Sequence, residues 1–353
     1  MTAQMVKIRH AIRIALIAAI SGGLVLNIAY AEPLRWKMAS WFPPNLTQLG
    51  TLGLRLTESI DRVSGGEFSI EYFGPGALIA AKDCFDTVSA GTIDACWSSA
   101  RYWYGKEPAL AMFAAVPFGP RAAEFGAWIY FGGGIELMDK IYAEHGLKSL
   151  PCGVVAPEAS GWFRKEIKSV EDLKGLKMRF FGLGARVMER LGVVTQLIAG
   201  DDIVAAMSRG SIDAAEYSMP AIDLELGVHE VAKHYYFPGW HQQATLFELL
   251  MNKQQWEALN DTQRAQLELV CGDNFRHGLV EGEAIQSAAL ATLKSKGVVF
   301  HLWPPEILDI IEQTWIEVAT EDAGRDDNFK KVWESYTQFR VANRLWKDLG
   351  HLR

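Results

Sequence analysis

The sequence predicts a two-lobed α/β protein, and three observations carry that reading. Short β-type runs alternate with helical ones, the chain exceeds one ordinary domain, and a five-residue segment occurs twice in equivalent positions. The alternation begins with a strand over residues 34–41, and after Pro43-Pro44 a helix runs to Ser64-Gly65-Gly66. Residues 67–73 and 93–98 read as strands, with a helix over 80–90 between them. Residues 122–145 read as one long helical stretch closed by Gly146, before β-like runs at 147–155 and 160–165.

The same grammar returns in the second half. Residues 170–173 form a short helix, 176–180 a strand, 185–191 and 201–208 helices, and 212–217 and 244–251 strands. Residues 260–295 read as one long helix, and 328–349 form a charged amphipathic helix. The repeat sets Gly91-Thr92-Ile93-Asp94-Ala95 against Gly210-Ser211-Ile212-Asp213-Ala214. In each copy a glycine closes a helix, an acid caps the turn and an apolar residue starts a strand. Open α/β sheets take ligands beyond the carboxyl ends of their strands. The residues after each copy, Cys96-Trp97-Ser98-Ser99 and Ala215-Glu216-Tyr217-Ser218, are therefore expected to face a common cleft.

The N-terminus reads as an export signal. Lys7, Arg9 and Arg13 precede an apolar run over 14–29, and Ala29-Tyr30-Ala31 supplies the small-x-small cleavage pattern, so cleavage is expected after Ala31. No cysteine follows the run and no Arg-Arg pair precedes it, which points to the general secretion route. Cleavage takes three of the 35 basic residues and no acidic one, which against 42 acidic residues leaves the remaining 322 residues at −10. That charge does not suit nucleic acid. Cys84, Cys96, Cys152 and Cys271 would meet an oxidising compartment. They allow three pairings, and free buried thiols stand level with a single disulfide because a core this size needs no staple.

Familiar catalytic spacings are absent. His229 and His234 lie five apart, about 140° round a helix, so one zinc cannot take both. Gly132-Gly133-Gly134 and Gly182-Leu183-Gly184 lack the remainder of any phosphate-binding fingerprint and read as loop geometry. An exported enzyme is accordingly the weaker class, and turnover of a bound acid would reveal one. Arg179, between apolar residues and a glycine turn, is either an ion-pair partner or an anion clamp whose planar fork grips a carboxylate. Trp41, Trp97, Tyr102, Trp162, Phe163, Tyr217 and Trp240 sit at loop or strand-end positions, as walls of a site or as core.

These residues carry a family resemblance. The chain resembles the substrate-binding subunits of tripartite ATP-independent periplasmic (TRAP) transporters, in particular those binding 2-oxo acids. The resemblance shows in Gly161-Trp162-Phe163-Arg164-Lys165-Glu166-Ile167, in Asp172-Leu173-Lys174-Gly175-Leu176-Lys177-Met178-Arg179, in Gly210-Ser211-Ile212-Asp213-Ala214-Ala215-Glu216 and in Tyr235-Tyr236-Phe237-Pro238-Gly239-Trp240-His241. It implies a periplasmic binding protein type II-like fold, two α/β lobes around a ligand cleft with a long helix spanning both. Residues 32–153 would form mainly one lobe and 154–250 mainly the other. Residues 251–353 would supply the spanning helix, a return to the first lobe and the C-terminal helix.

It also implies a small organic acid as ligand, a 2-oxo acid such as pyruvate or a 2-hydroxy acid, and membrane transporter subunits as partners. Arg179 would take the ligand carboxylate, with Glu158, Tyr217 and Tyr102 beside it. Glu216, Tyr217, Gln242 and Glu158 would hold a bridging Na⁺ or Ca²⁺. Three positions depart from the resemblance: Glu158 stands where oxo-acid binders carry Gln, Tyr217 where they carry Trp, and Val154 where they carry Asn. A carboxylate at 158 beside an anion calls for Ca²⁺ rather than Na⁺, or for a different ligand. The amphipathic tail packs on its own lobe or mediates a homodimer. A sensor module feeding a membrane receptor needs the same clamp and is the alternative function.

Overall fold

The computed structural model describes residues 32–350, so the expected export signal lies outside the described residues. The strands are β1 (Leu34–Ser40), β2 (Phe68–Phe73), β3 (Ala95–Ser98), β4 (Leu147–Val155), β5 (Gly161–Phe163), β6 (Lys177–Arg179), β7 (Val194–Gln196), β8 (Ala214–Ala215), β9 (His234–Phe237), β10 (Thr245–Asn252) and β11 (Val299–Leu302). The helices are α1 (Thr51–Ser64), α2 (Cys84–Ser89), α3 (Ala122–Phe131), α4 (Gly134–Glu144), α5 (Gly182–Arg190), α6 (Gly200–Ser208), α7 (Pro220–Leu226), α8 (Lys253–Ala258), α9 (Asp261–Ser295), α10 (Pro305–Arg325) and α11 (Asp327–Gly350). They build two sheets, one ordered β2-β1-β3-β10-β4 and the other β11-β9-β5-β8-β6-β7. Helices pack on both, giving two α/β lobes.

The repeated segment has the same job in each lobe. Gly91 and Gly210 both take positive φ, 70° and 72°, which lets the chain leave α2 and α6 through a left-handed residue. The aspartate of each copy then accepts a backbone N–H from the neighbouring parallel strand: Asp94 from Lys37 at 2.7 Å, Asp213 from Lys177 at 3.1 Å. The register is identical as well, with Met38 opposite Ala95 and Met178 opposite Ala214. A duplicated turn thus sets how β3 and β8 start in their sheets.

Two segments carry the chain between the lobes at the site. Strand β4 pairs antiparallel with β10 from Leu147–Asn252 to Val155–Thr245, and both then leave the five-stranded sheet. The outgoing and returning segments stay stitched together: Glu158 N–H donates to Gln242 O at 3.1 Å and Gly239 N–H to Glu158 O at 2.9 Å. Helix α9, capped by the reciprocal Asn260–Gln263 pair, is about 50 Å long at 1.5 Å per residue and reaches both lobes. Its Leu267 packs in the core with Trp36, Leu52 and Phe247, and its Leu293 in the other lobe with Trp162 and Tyr235. Between them a β-carbon on Gly278 would sit 2.5 Å from Val154 O, and one on Gly282 3.0 Å from Ala156 N. These glycines let the helix lie directly on the crossing strand.

Several expectations change. The stretch 122–145 is two helices, broken where Gly133 takes φ 88° and where a side chain on Gly132 would meet Phe339 at 2.6 Å. Strands β7, β9 and β11 and helices α7 and α10 are not among the expected elements. His229 sits in a 3₁₀ turn and His234 on β9, on separate elements. Helix α11 buries Phe329, Val332 and Tyr336 and exposes Val341, Leu345 and Leu349. The cysteines are neither free nor singly paired: Cys84–Cys96 ties α2 to β3, and Cys152–Cys271 ties β4 to α9. Both pairs sit inside cores rather than in loops, brought together by packing that core size does not reveal.

The two bridges close loops of very different length, with sequence separations of 12 and 119. Chain entropy makes the longer one worth about 2 kcal/mol more. Thermal unfolding of the Cys152→Ala/Cys271→Ala variant is expected to fall further than that of Cys84→Ala/Cys96→Ala. Equal losses would show that loop length does not set what each crosslink is worth.

Candidate functional site

The site forms where the two crossing segments meet the end of β8 and the turn after β3. Strand β6 ends at Arg179 and β8 at Ala215, paired directly opposite each other, so Arg179 and Glu216 leave the sheet side by side. Arg179 is buried. Its Nη1 donates to Glu216 Oε2 at 2.8 Å and to the Glu216 backbone carbonyl, and its Nε to Ile198 O at 3.2 Å. Among the described residues its Nη2 makes no protein hydrogen bond. The guanidinium lies between two rings, 4.8 Å from the Phe181 centroid and 5.1 Å from that of Tyr217, which holds the fork flat. Gly200 is required here, because a β-carbon would come within 2.7 Å of the Tyr217 ring.

Around Arg179 stand buried groups with unfilled valence. Among the described residues, Glu158 Oε2, Glu216 Oε1 and both ring nitrogens of His241 have no hydrogen-bond partner. His241 Nε2 lies 3.3 Å from Glu216 Oε1 and 3.7 Å from Glu158 Oε2. One ligand atom from each of these three residues falls within 4.8 Å of the others. Burial works against the Glu216 charge, but His241, Arg179 and Arg101 outweigh it and hold the carboxyl well below its usual range. Glu158 goes the other way: burial raises it, only partly offset by His241 and Arg101. For His241, burial lowers the pKa and the flanking carboxylates overcome it, leaving it above its ordinary value. Unpartnered buried carboxylate oxygens at this spacing fit a bound cation, since hard cations take oxygen ligands.

The expected residues divide on this geometry. Glu158, Glu216 and Arg179 converge. Tyr217 contributes its ring to Arg179, and Tyr102 stacks between Trp41 at 3.9 Å and Phe181 at 5.3 Å, closing one side. Gln242 is adjacent, but its Oε1 is already engaged by Arg101 Nη1 and lies 2.9 Å from Thr245 Oγ1. Of the segment after the first repeat, Cys96 is disulfide-bonded, Trp97 is core, Ser98 serves Glu248, and Ser99 donates to Leu246 O. The cleft takes the next turn instead. Trp162, Phe163 and Trp240 are likewise core, as is Val154. Arg101 and His241 were missed. Each stands beside an expected residue, Tyr102 and Gln242, and that adjacency was the available signal.

Comparison with known proteins identifies the family. Residues 38–322 match the family described as bacterial extracellular solute-binding protein, family 7. The chain belongs to that family. A monocarboxylate 2-oxoacid-binding periplasmic protein of Nostoc sp. (strain PCC 7120) is 36% identical over 321 residues, 90% of this chain and 87% of the relative. A TRAP transporter solute-binding protein from Bordetella bronchiseptica RB50 superposes with a TM-score of 0.87 at 32% identity, covering 90% of this chain and 94% of that one. It is a dimer of mixed occupancy, with copurified calcium and picolinate at one active site and the other apo. A TRAP periplasmic solute-binding protein from Pseudoalteromonas atlantica T6c, with sodium and pyruvate, gives 0.85 at 30% identity over 89% of this chain and 96% of that one. Family 7 proteins of this kind are binding proteins of the periplasm and not enzymes.

The stitching of the crossing segments leaves no space at Gly239, where a β-carbon would sit 2.2 Å from Glu158 O. Gly239→Ala must push backbone against backbone and is expected to cost about 1–3 kcal/mol, measured by chemical denaturation. An unchanged midpoint would mean the segments part freely.

Proposed function

We propose that this family 7 protein captures a small 2-oxo monocarboxylate such as pyruvate, or the related 2-hydroxy acid, together with Na⁺ or Ca²⁺, and delivers it to the membrane subunits of a TRAP transporter. The observation that carries the reading is the buried Arg179 fork, pinned through Nε and Nη1 with Nη2 free, beside unpartnered Glu158 and Glu216 oxygens. In this reading Arg179 takes the ligand carboxylate, while Glu158 and Tyr217 bound the space and Tyr102 covers it from the other lobe. Glu216 and Glu158 are the first candidates to hold the cation, with Tyr217 and Gln242 beside them. A bound cation would supply positive charge to the ligand's carboxylate and 2-oxygen. The relatives' calcium and sodium, with picolinate and pyruvate, support this assignment.

The lobes follow the same reading: 32–153 mainly one, 154–250 mainly the other, and 251–353 for α9, the return and the tail. The Tyr102 turn stacks on Phe181 here, so in this reading opening would part that contact to admit the acid, and the closed arrangement buries the Arg179–carboxylate pair and presents one surface to the transporter. Export by a signal cleaved after Ala31 places the clamp where the family works.

Charge-assisted hydrogen bonds contribute about 1.5–3 kcal/mol each, so losing two is expected to weaken binding about a hundredfold or more. Calorimetry of residues 32–353 with pyruvate and other small acids, in Na⁺ or Ca²⁺, is expected to show binding that Arg179→Ala abolishes. Arg179→Lys keeps the charge without the fork and is expected to fold normally and bind weakly. Undiminished binding by both variants contradicts the assignment.

A further inference from the structure

Glu158 poses a problem of charge, since it adds a second buried carboxylate to a site meant for an anion. The answer lies across the cleft. Arg101 is 6% exposed and reaches from the 3₁₀ turn Ala100–Trp103 to the crossing segments. Its Nη1 donates to Gln242 Oε1 and lies 3.9 Å from Glu158 Oε1, while its guanidinium carbon is 5.0 Å from the Phe181 centroid. Its Nε has no hydrogen-bond partner among the described residues. The turn is fixed on both sides of Arg101: Ser99 Oγ donates to Leu246 O at 2.9 Å, and Trp103 Nε1 to Glu248 Oε1 at 2.8 Å. Glu248 is itself held by Ser98, Tyr142 and Ser149. A long side chain on so rigid a base delivers its charge to one place.

We propose that Arg101 is a specificity-determining residue which sets the charge of the cation site and biases it towards a monovalent ion. The inference rests on the proposed function above. Glu158 and Glu216 bring two negative charges, and Arg179 and Arg101 bring two positive ones. A monocarboxylate entering with a monovalent cation then leaves that balance unchanged. A divalent ion leaves one positive charge in excess, which a water-poor cleft penalises. Without Arg101 the arithmetic moves by one unit in favour of the divalent ion. That difference of one charge holds whichever protonation state His241 adopts. The same residue removes the ground on which Glu158 alone called for Ca²⁺, because the protein supplies the counter-charge itself. It also competes for Gln242 Oε1, which places the cation nearer Glu158 and Glu216 than Gln242.

The test measures Na⁺ and Ca²⁺ affinity by calorimetry and thermal shift, with the ion alone and with pyruvate, in four proteins. Arg101→Gln is expected to raise the Ca²⁺:Na⁺ affinity ratio about tenfold or more. Glu158→Gln is expected to lower it, and Arg101→Gln/Glu158→Gln, which leaves no buried unpaired charge, to return it close to the starting value. A ratio that stays the same in all four while the ions still bind overturns the role of Arg101 and leaves the binding function standing. Pyruvate binding by the unmodified protein with no dependence on either ion overturns the cation reading and this proposal together. Should Arg101→Gln fail to fold, the ratios of Glu158→Gln and the double variant still decide the matter.

Discussion

The site depends on keeping two carboxylates, Glu158 and Glu216, charged and only partly satisfied inside the protein. Burial of such groups is costly unless positive charge and donors meet them. Arg179 meets Glu216 at 2.8 Å, Arg101 stands by Glu158, and His241 lies between the two. What remains is one free oxygen on each acid. The residue of unmet electrostatic demand is what a cation and an anion can fill together, and it gives the lobes a reason to close.

The scaffold serves that arrangement from several directions. Glu216 and Arg179 come from paired strand ends in one lobe, Arg101 from a turn clamped to β10 in the other, and Glu158 and His241 from the segments joining them. Closing or opening the lobes therefore changes the distance between Arg101 and the other lobe's charges more than distances within either lobe. Helix α9 backs the crossing through Gly278 and Gly282 and is tied by Asn274 Nδ2, which donates to Cys152 O at 2.8 Å and Leu52 O at 3.1 Å. The Cys152–Cys271 bridge sits at the same junction. Hydrogen bonds, a crosslink and close backbone packing are thus gathered where the lobes join.

Much of this was legible in the sequence, for physical reasons that differ by residue. The repeat around Asp94 and Asp213 was readable because a helix-closing glycine and a capping acid leave a local signature. Helix α9 was readable because its cap and length are local too. Arg179 and Glu216 followed from strand ends and from the family resemblance. Arg101 and His241 left no signal beyond their adjacency to Tyr102 and Gln242, and the disulfides left none, since each depends on which distant segment packs opposite. Strand β9 is only four residues long and begins at His234, and the short β7 and β11 likewise have too few residues for periodicity to show. The aromatic residues divided between wall and core for the same reason: Trp41 and Trp162 look alike in sequence, and only the fold puts one at the cleft and the other against Asp223.

A crystal structure of residues 32–353 grown with pyruvate and Na⁺ tests the central claim most directly. The account predicts a carboxylate in contact with the Arg179 guanidinium, a cation touching Glu216 and Glu158, and Arg101 still beside Glu158. A ligand bound elsewhere, or an occupied cleft in which Arg179 engages only Glu216 and Ile198, would contradict it.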